Sequence, residues 1–307
     1  MLAASCGANL ELLDPMRRGM PLRASVLGAT RRAGGSAARV GHRCGTIAHL
    51  QMARPRPKPN ATPVDLAFGV NACALALRHG RVRTLYYLDR TEHRRVRSLV
   101  DEARAAGVHT EQVELARLDE LTGDGVHQGV LVRLTRPEPL RLDAVTEGAT
   151  GPSLALLLDQ ITDPQNVGAI LRTSVAVGVD AVVLPKRRGA TLTPGVHRAS
   201  AGFSFAAPVV EPSNLARAFE ELQGSGYWVV AAHSGASAQP ATTFDWPQRT
   251  ALVLGSEGDG VSRLLLERAD FTVELPMDAQ VESLNVGVAA GVLMYLWRRQ
   301  WPVEPTS

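Results

Sequence analysis

Lysine is nearly missing from this sequence, and so are paired cysteines and long apolar runs. Of 33 basic residues only Lys58 and Lys186 are lysines; the rest are arginines. The three cysteines, Cys6, Cys44 and Cys73, stand alone, with no Cys-x-x-Cys pair. That excludes a disulfide framework and a zinc ligand set, and fits a reducing compartment. No apolar run approaches the ~18–20 residues that cross a bilayer. The longest, Leu154–Leu158 and Val286–Leu293, are short and punctuated. Nucleotide and hydrolase signatures are absent too. There is no G-x-G-x-x-G between the first strand and helix, no Walker sequence and no G-x-S-x-G elbow. Dehydrogenases, phosphoryl transferases and α/β hydrolases are thereby disfavoured.

What remains is a chain of 307 residues, 45% hydrophobic, with a formal charge of +3. It is long enough for two domains with cores of their own. Arginine-rich composition fits codon usage in a GC-rich genome. It also suits a nucleic-acid partner, because a guanidinium forks onto phosphate and stacks on bases.

Residues 1–62 differ from the rest: ten Lys/Arg, two acids (Glu11 and Asp14), no sustained period, and a closing Arg54-Pro-Arg-Pro-Lys-Pro-Asn60. Such a segment buries too little apolar surface to order itself, so a disordered basic extension is expected. Residues 1–51 also have the composition of an organellar transit peptide; the preferred reading is a basic tail or an over-extended reading frame with Met52 as the start, and the protein is then expected in the cytoplasm. Residues 63–135 read as a compact α/β unit: helix 72–78, strand 84–88, charged helix 92–106, strand 111–115, a short helix near 118–121 and strand 130–134. Its Gly123–Gly129 loop carries His127-Gln128, a dipeptide suited to base reading or to backbone pairing. Residues 136–152 read as an extended linker.

From 153 to 301 strands and helices alternate, the mark of a largely parallel sheet with helices over it. Three polar or Gly-rich loops follow strands: Asp159–Asn166, Gly255–Gly260 and Pro276–Ser283. In open parallel sheets ligands bind outside the carboxyl ends of strands, so the loops point to one shared pocket. Gly255-Ser-Glu257-Gly-Asp-Gly260 puts an acid where phosphate would approach, which suits a cationic or hydroxyl-bearing ligand. After the third loop Ser283 fits a helix N-cap, and the helix 286–297 reads as apolar on nearly every face, hence buried or packed on a second surface.

Together, Asp163-Pro-Gln-Asn166-Val-Gly-Ala-Ile-Leu-Arg172-Thr, Leu254-Gly-Ser-Glu257-Gly-Asp-Gly260, and Leu275-Pro-Met277 with Ser283-Leu-Asn285-Val resemble the three motifs of the SpoU/TrmH family. These are S-adenosyl-L-methionine-dependent RNA ribose 2′-O-methyltransferases of the SPOUT superfamily. The resemblance covers about 153–299. The 63–135 unit looks like the family's ribosomal-protein-L30e-like RNA substrate-binding domain. The two-domain arrangement is most similar to bacterial 23S rRNA guanosine 2′-O-methyltransferases. A tRNA or antibiotic-resistance rRNA enzyme of the same family is the alternative, as is a non-catalytic ribosome-assembly factor.

The resemblance implies a parallel sheet with a C-terminal trefoil knot, a homodimer with helix 286–297 at its interface, RNA (rRNA foremost) as partner, and no metal or membrane. It implies that Arg172 positions or activates the 2′-hydroxyl while Glu257 and Asn285 orient Arg172 and the ribose, with Asn166 a further catalytic position. Gly255, Leu275, Met277, Ser283 and Leu284 match cofactor-binding positions. Lys186, Arg187, Arg198, His127 and Gln128 are the candidate RNA contacts. Asp278-Ala279, Gly287 and Thr173-Ser174 depart from the family pattern.

Overall fold

The computed structural model describes residues 65–88, 93–123, 125–135, 140–148, 150–186, 191–278, 280–281 and 283–302. The expected extension 1–62 and Arg187 lie outside them.

The first unit runs β1 (Leu66–Phe68), α1 (Val70–Arg78), β2 (Val82–Leu88), α2 (Arg94–Ala105), β3 (His109–Val113), α3 (Leu115–Thr122) and β4 (Val130–Leu134). Its sheet has the order β1-β4-β2-β3, with β2 and β3 parallel and the other pairs antiparallel. The spacing of Val96, Leu99, Val100 and Ala103 gives α2 one apolar stripe. That stripe is buried against β2, β4 and α1, and leaves the arginine-bearing face outside.

The second unit begins with a departure from the expected linker. Residues Leu142–Gly148 form a helix, α4, with Leu142 buried in the core beside Ala218 and Phe219. There follow β5 (Ser153–Leu158), α5 (Pro164–Val177), β6 (Ala181–Val183), α6 (Pro194–Ala199), a 3-10 turn (Phe203–Phe205), β7 (Val209–Val210), α7 (Leu215–Gly224) and β8 (Trp228–Ala232). Then come β9 (Gln239–Pro240), β10 (Arg249–Leu254), α8 (Arg263–Arg268), β11 (Phe271–Glu274) and α9 (Val286–Gln300). The sheet order is β7-β6-β5-β10-β8-β11-β9, parallel at every pairing.

Each central strand is buried on both faces, which explains the near-continuous apolar run in β5. Leu154, Leu156 and Leu158 face one layer with α5 and α9; Ala155 and Leu157 face the other with α7 and α8. A fully buried leucine contributes roughly 1.5–3 kcal/mol, so β5 and its neighbour β10 anchor both layers. From β5 the chain winds outward to β6 and β7, then returns on the far side of β10. The crevice between β5 and β10 is therefore the switch point at which open parallel sheets bind ligands.

The expected cap of α9 is corrected. Its cap is Asn285, whose Oδ1 accepts from the backbone N–H groups of Gly287 (3.0 Å) and Val288 (3.2 Å); Ser283 lies exposed before it. The helix is buried on one side and leaves an apolar stripe on the other. Val286, Ala290, Leu293, Met294 and Trp297 face the core, whereas Val288, Val292 and Tyr295 are 54%, 41% and 55% exposed.

Candidate functional site

The three loops meet at the carboxyl ends of β5 and β10. Asp159, just past β5, takes a backbone bond from its own N–H to Leu254 O (2.8 Å), and its Oδ2 accepts from Ser262 N (2.8 Å). The first two loops are thus tied together at their bases. Asp163 caps α5, its carboxylate accepting from Gln165 N and Asn166 N at 3.2 Å, with Pro164 in the first turn. That cap fixes where Asn166 begins its turn of helix.

Asn166 is 9% exposed, and its amide is bonded through both its nitrogen and its oxygen. Nδ2 donates to Glu257 Oε1 (3.0 Å), and Oδ1 accepts from Asn285 Nδ2 (2.8 Å). Asn285 Nδ2 also donates to Glu257 Oε1 (2.7 Å), and Val286 N donates to the same oxygen (3.3 Å). One carboxylate oxygen therefore collects three donors from two distant segments, at the positive end of a fifteen-residue helix. Among the described residues the second oxygen, Oε2, has no partner.

Glu257 is held by a miniature antiparallel turn, Ser256 N to Gly260 O (3.2 Å) and Gly260 N to Ser256 O (3.0 Å), with Gly258 and Gly260 at positive φ. A Cβ at Gly255 would lie 1.9 Å from the carbonyl carbon of Gly260. The glycine is required by its own loop; the space its hydrogen leaves is filled by Gly260, not by a ligand.

Arg172 stands apart from this cluster. It is exposed on α5, with its guanidinium over the ring of Phe203 (6.0 Å to the centroid), and among the described residues it has no hydrogen bond or ion pair. Among the described residues Glu257 and Asn285 bond to Asn166 and to one another, and neither bonds to Arg172. Phe203 was not singled out from sequence, and nothing in its flanking residues marks it.

Residues 153–295 match the model of the SpoU rRNA Methylase family, and residues 66–140 match that of RNA 2′-O ribose methyltransferase substrate binding. The chain is 39% identical over 242 residues to the 23S rRNA (guanosine-2′-O-)-methyltransferase RlmB of Pseudomonas syringae, covering 77% of this chain and 96% of that protein. It is 38% identical to the Pseudomonas aeruginosa protein of the same name, over 78% of this chain and 98% of the other. The chain belongs to the SpoU rRNA methylase family. Among solved structures, the SpoU methyltransferase AviRb of Streptomyces viridochromogenes, crystallised with AdoMet, superposes with a TM-score of 0.64 at 27% identity, covering 77% of this chain and 90% of that one.

The family's cofactor, S-adenosyl-L-methionine, is a sulfonium cation carrying an adenosyl group, and the residues here fit it. The loop after β11 exposes the apolar side chains of Met277 (39%), Val281 (45%) and Leu284 (39%). Glu257 supplies negative charge nearby in the fold. Leu275 is half-buried beside the core, and Ser283 is exposed with its hydroxyl unpaired among the described residues. Two of the departures have local consequences. A Cβ at Gly287 would come within 3.2 Å of Asn285 Oδ1 and 3.3 Å of Ala169 Cβ, so glycine lets α9 close on α5. Thr173 returns its hydroxyl to Ala169 O within α5 (3.0 Å). Ala279 lies outside the described residues.

The RNA candidates separate. His127 is spent on the protein: Nδ1 accepts from Gly129 N (3.0 Å) and Nε2 pairs with Asp119 (3.1 Å), with 11% of the side chain exposed. Gln128, at φ 55°, uses its Oε1 to accept from Val70 N (2.9 Å) at the start of α1. Arg198 is exposed on α6 with its guanidinium over Phe68 (5.7 Å), and Lys186 is exposed beyond β6. Among the described residues no group of three or more His, Cys, Asp or Glu could hold a metal, and no helix is long and apolar enough to cross a membrane.

Proposed function

We propose that this chain transfers a methyl group from S-adenosyl-L-methionine to a ribose 2′-hydroxyl of rRNA, at a guanosine of the large subunit. The observation that carries this reading is the Asn166–Glu257–Asn285 cluster at the β5/β10 crevice, in a chain whose relatives are named for that reaction. The cofactor supplies an electrophilic methyl on sulfur. The chain would orient the 2′-oxygen toward that methyl group and stabilise the charge the oxygen develops as its proton passes to solvent water.

Arg172 fits that second task. Among the described residues its guanidinium is exposed and without a hydrogen-bond partner, so it is free to donate to a ribose oxygen and the adjoining phosphate. A guanidinium is a poor base, and orientation with electrostatic stabilisation is its role. Asn166, Glu257 and Asn285 act as positioning residues. They fix the start of α5 and α9 relative to one another, and leave Glu257 Oε2 available to a ribose hydroxyl or a cationic group.

The same reading assigns the first unit to RNA binding as an L30e-like domain, the loop between β11 and α9 to a trefoil knot, and the protein to the cytoplasm. The exposed stripe Val288, Val292 and Tyr295 is assigned to a homodimer interface. Its spacing of four and three residues is what a facing helix requires.

The test is Arg172→Ala assayed with radiolabelled cofactor and deproteinised 23S rRNA. Methyl transfer falls by roughly 100-fold or more, while the circular dichroism melt and RNA affinity hold. Undiminished transfer would remove Arg172 from the reaction.

A further inference from the structure

A cleft of about 150 Å³ opens where the first unit meets α6, lined by Phe68, Asn71, Gln128 and Arg198, with Gly69 and Ala201 at its edges. The meeting is close: a Cβ on Gly202 would lie 3.0 Å from Asn71 O and from Ala72 Cα. Both amides at the cleft have their oxygens already committed. Gln128 Oε1 accepts from Val70 N (2.9 Å), and Asn71 Oδ1 accepts from an Arg95 guanidinium N–H (2.8 Å). Because both partners are donors, the amide orientations are fixed by chemistry, and each NH2 has no partner among the described residues. Arg198 adds further N–H donors and has none of them paired among the described residues. Its guanidinium is drawn over Phe68, which is only 5% exposed, while the arginine itself is exposed. The cleft thus offers a flat cation already backed by an aromatic ring, and amide donors without an acidic side chain in its lining.

We infer that this cleft is the seat of one unpaired RNA base, sandwiched on Arg198 and read through carbonyl acceptors by Asn71 and Gln128. Single-stranded RNA is recognised in this manner, by stacking on aromatic or guanidinium planes and by hydrogen bonds to base edges. Donors alone favour a base edge rich in acceptors, such as uracil O2 and O4, over the amino edge of adenine. The cleft also explains how two units can engage one strand. Ala201, at its edge, and Phe203, which carries Arg172, sit on the same short turn after α6. A base held there fixes the register of the strand relative to Arg172. The inference rests on RNA being the substrate, and it names where a nucleotide other than the methylated one is gripped.

The experiment uses the full chain and three eight-nucleotide probes at one salt concentration: uridine-only RNA, adenosine-only RNA, and a ribose-phosphate octamer without bases. The uridine octamer binds about tenfold more tightly than the abasic one, with adenosine between them. Arg198→Lys keeps the charge but loses the flat stack, so the uridine advantage collapses while abasic binding is unchanged. Asn71→Ala, at an exposed position, narrows the gap between uridine and adenosine. Equal binding of uridine and abasic octamers, or a uridine advantage that survives Arg198→Lys, would overturn the assignment and leave a phosphate contact. Methyl transfer to 23S rRNA by the unaltered chain is scored separately, so failure of the methyltransferase reading is told apart from failure of the base site.

Discussion

Replacing Asn285 tests whether the start of α9 and the crevice are one structure. Asn285→Ala removes an N-cap that satisfies two backbone N–H groups, a loss of about 1 kcal/mol. It also removes the bonds to Asn166 Oδ1 and Glu257 Oε1, each contributing about 1 kcal/mol net at a partly exposed site. The sum is about 2–3 kcal/mol. For a unit of this size that lowers Tm by roughly 5–10 °C. Asn285→Ser retains a capping oxygen and loses only the amide donors, so about 1 kcal/mol should be recovered. Urea unfolding followed by circular dichroism, with matching calorimetric scans, measures both. Methyl transfer falls in both variants, because Glu257 Oε1 loses one of its three donors and is held only by Asn166 Nδ2 and Val286 N. The reasoning fails if the alanine variant loses less than about 0.5 kcal/mol, or if serine is no better than alanine.

Gly168 lies on α5 where a Cβ would come 2.4 Å from Ala199 Cβ and 2.8 Å from Ser200 N, so Gly168→Ala should destabilise by roughly 1–3 kcal/mol through overpacking, read as a shifted urea midpoint. His197 is buried, bonded to Ser204 Oγ (2.8 Å) and stacked on Phe205, and burial lowers its pKa to about 4. The folded state therefore resists protonation that the unfolded chain accepts from about pH 6.5 downward. Stability is full above that pH and is lost as pH falls through 4. The difference between pH 7 and 4.5 is about 2–3 kcal/mol, and His197→Gln should flatten that part of the pH–stability curve. Val292→Asp places a charge in the exposed α9 stripe and should give a monomer by light scattering with the secondary structure retained; an unchanged mass would refute the interface.

Much of the second unit was legible because its signals are local. Asp163-Pro164 announces the start of α5, and the unbroken run in β5 announces a strand buried on both faces. In α2 the separation of apolar and charged positions marks the buried side directly. The outer side of α9 was invisible for the opposite reason: valines and a tyrosine face solvent, so no polar stripe distinguishes exposed from buried. Helix α4 was hidden by the prolines before it, and only the packing of Leu142 on α7 shows that it belongs to the core. The motif residues were identified from resemblance, but their partners were not. That Asn166 pairs with Glu257 and Asn285, leaving Arg172 to Phe203, depends on contacts spanning 91 and 119 residues, which no local pattern encodes.

The shared oxygen of Glu257 has a consequence for how the protein is made. Synthesis proceeds from the amino end, so β5, α5 and β10 are available to fold while Asn285 is still inside the ribosome. During that interval Asn166 and Glu257 can find each other, yet the oxygen lacks two of its three donors and the start of α9 has no anchor. The crevice becomes complete only when the final helix docks and its cap closes on the carboxylate.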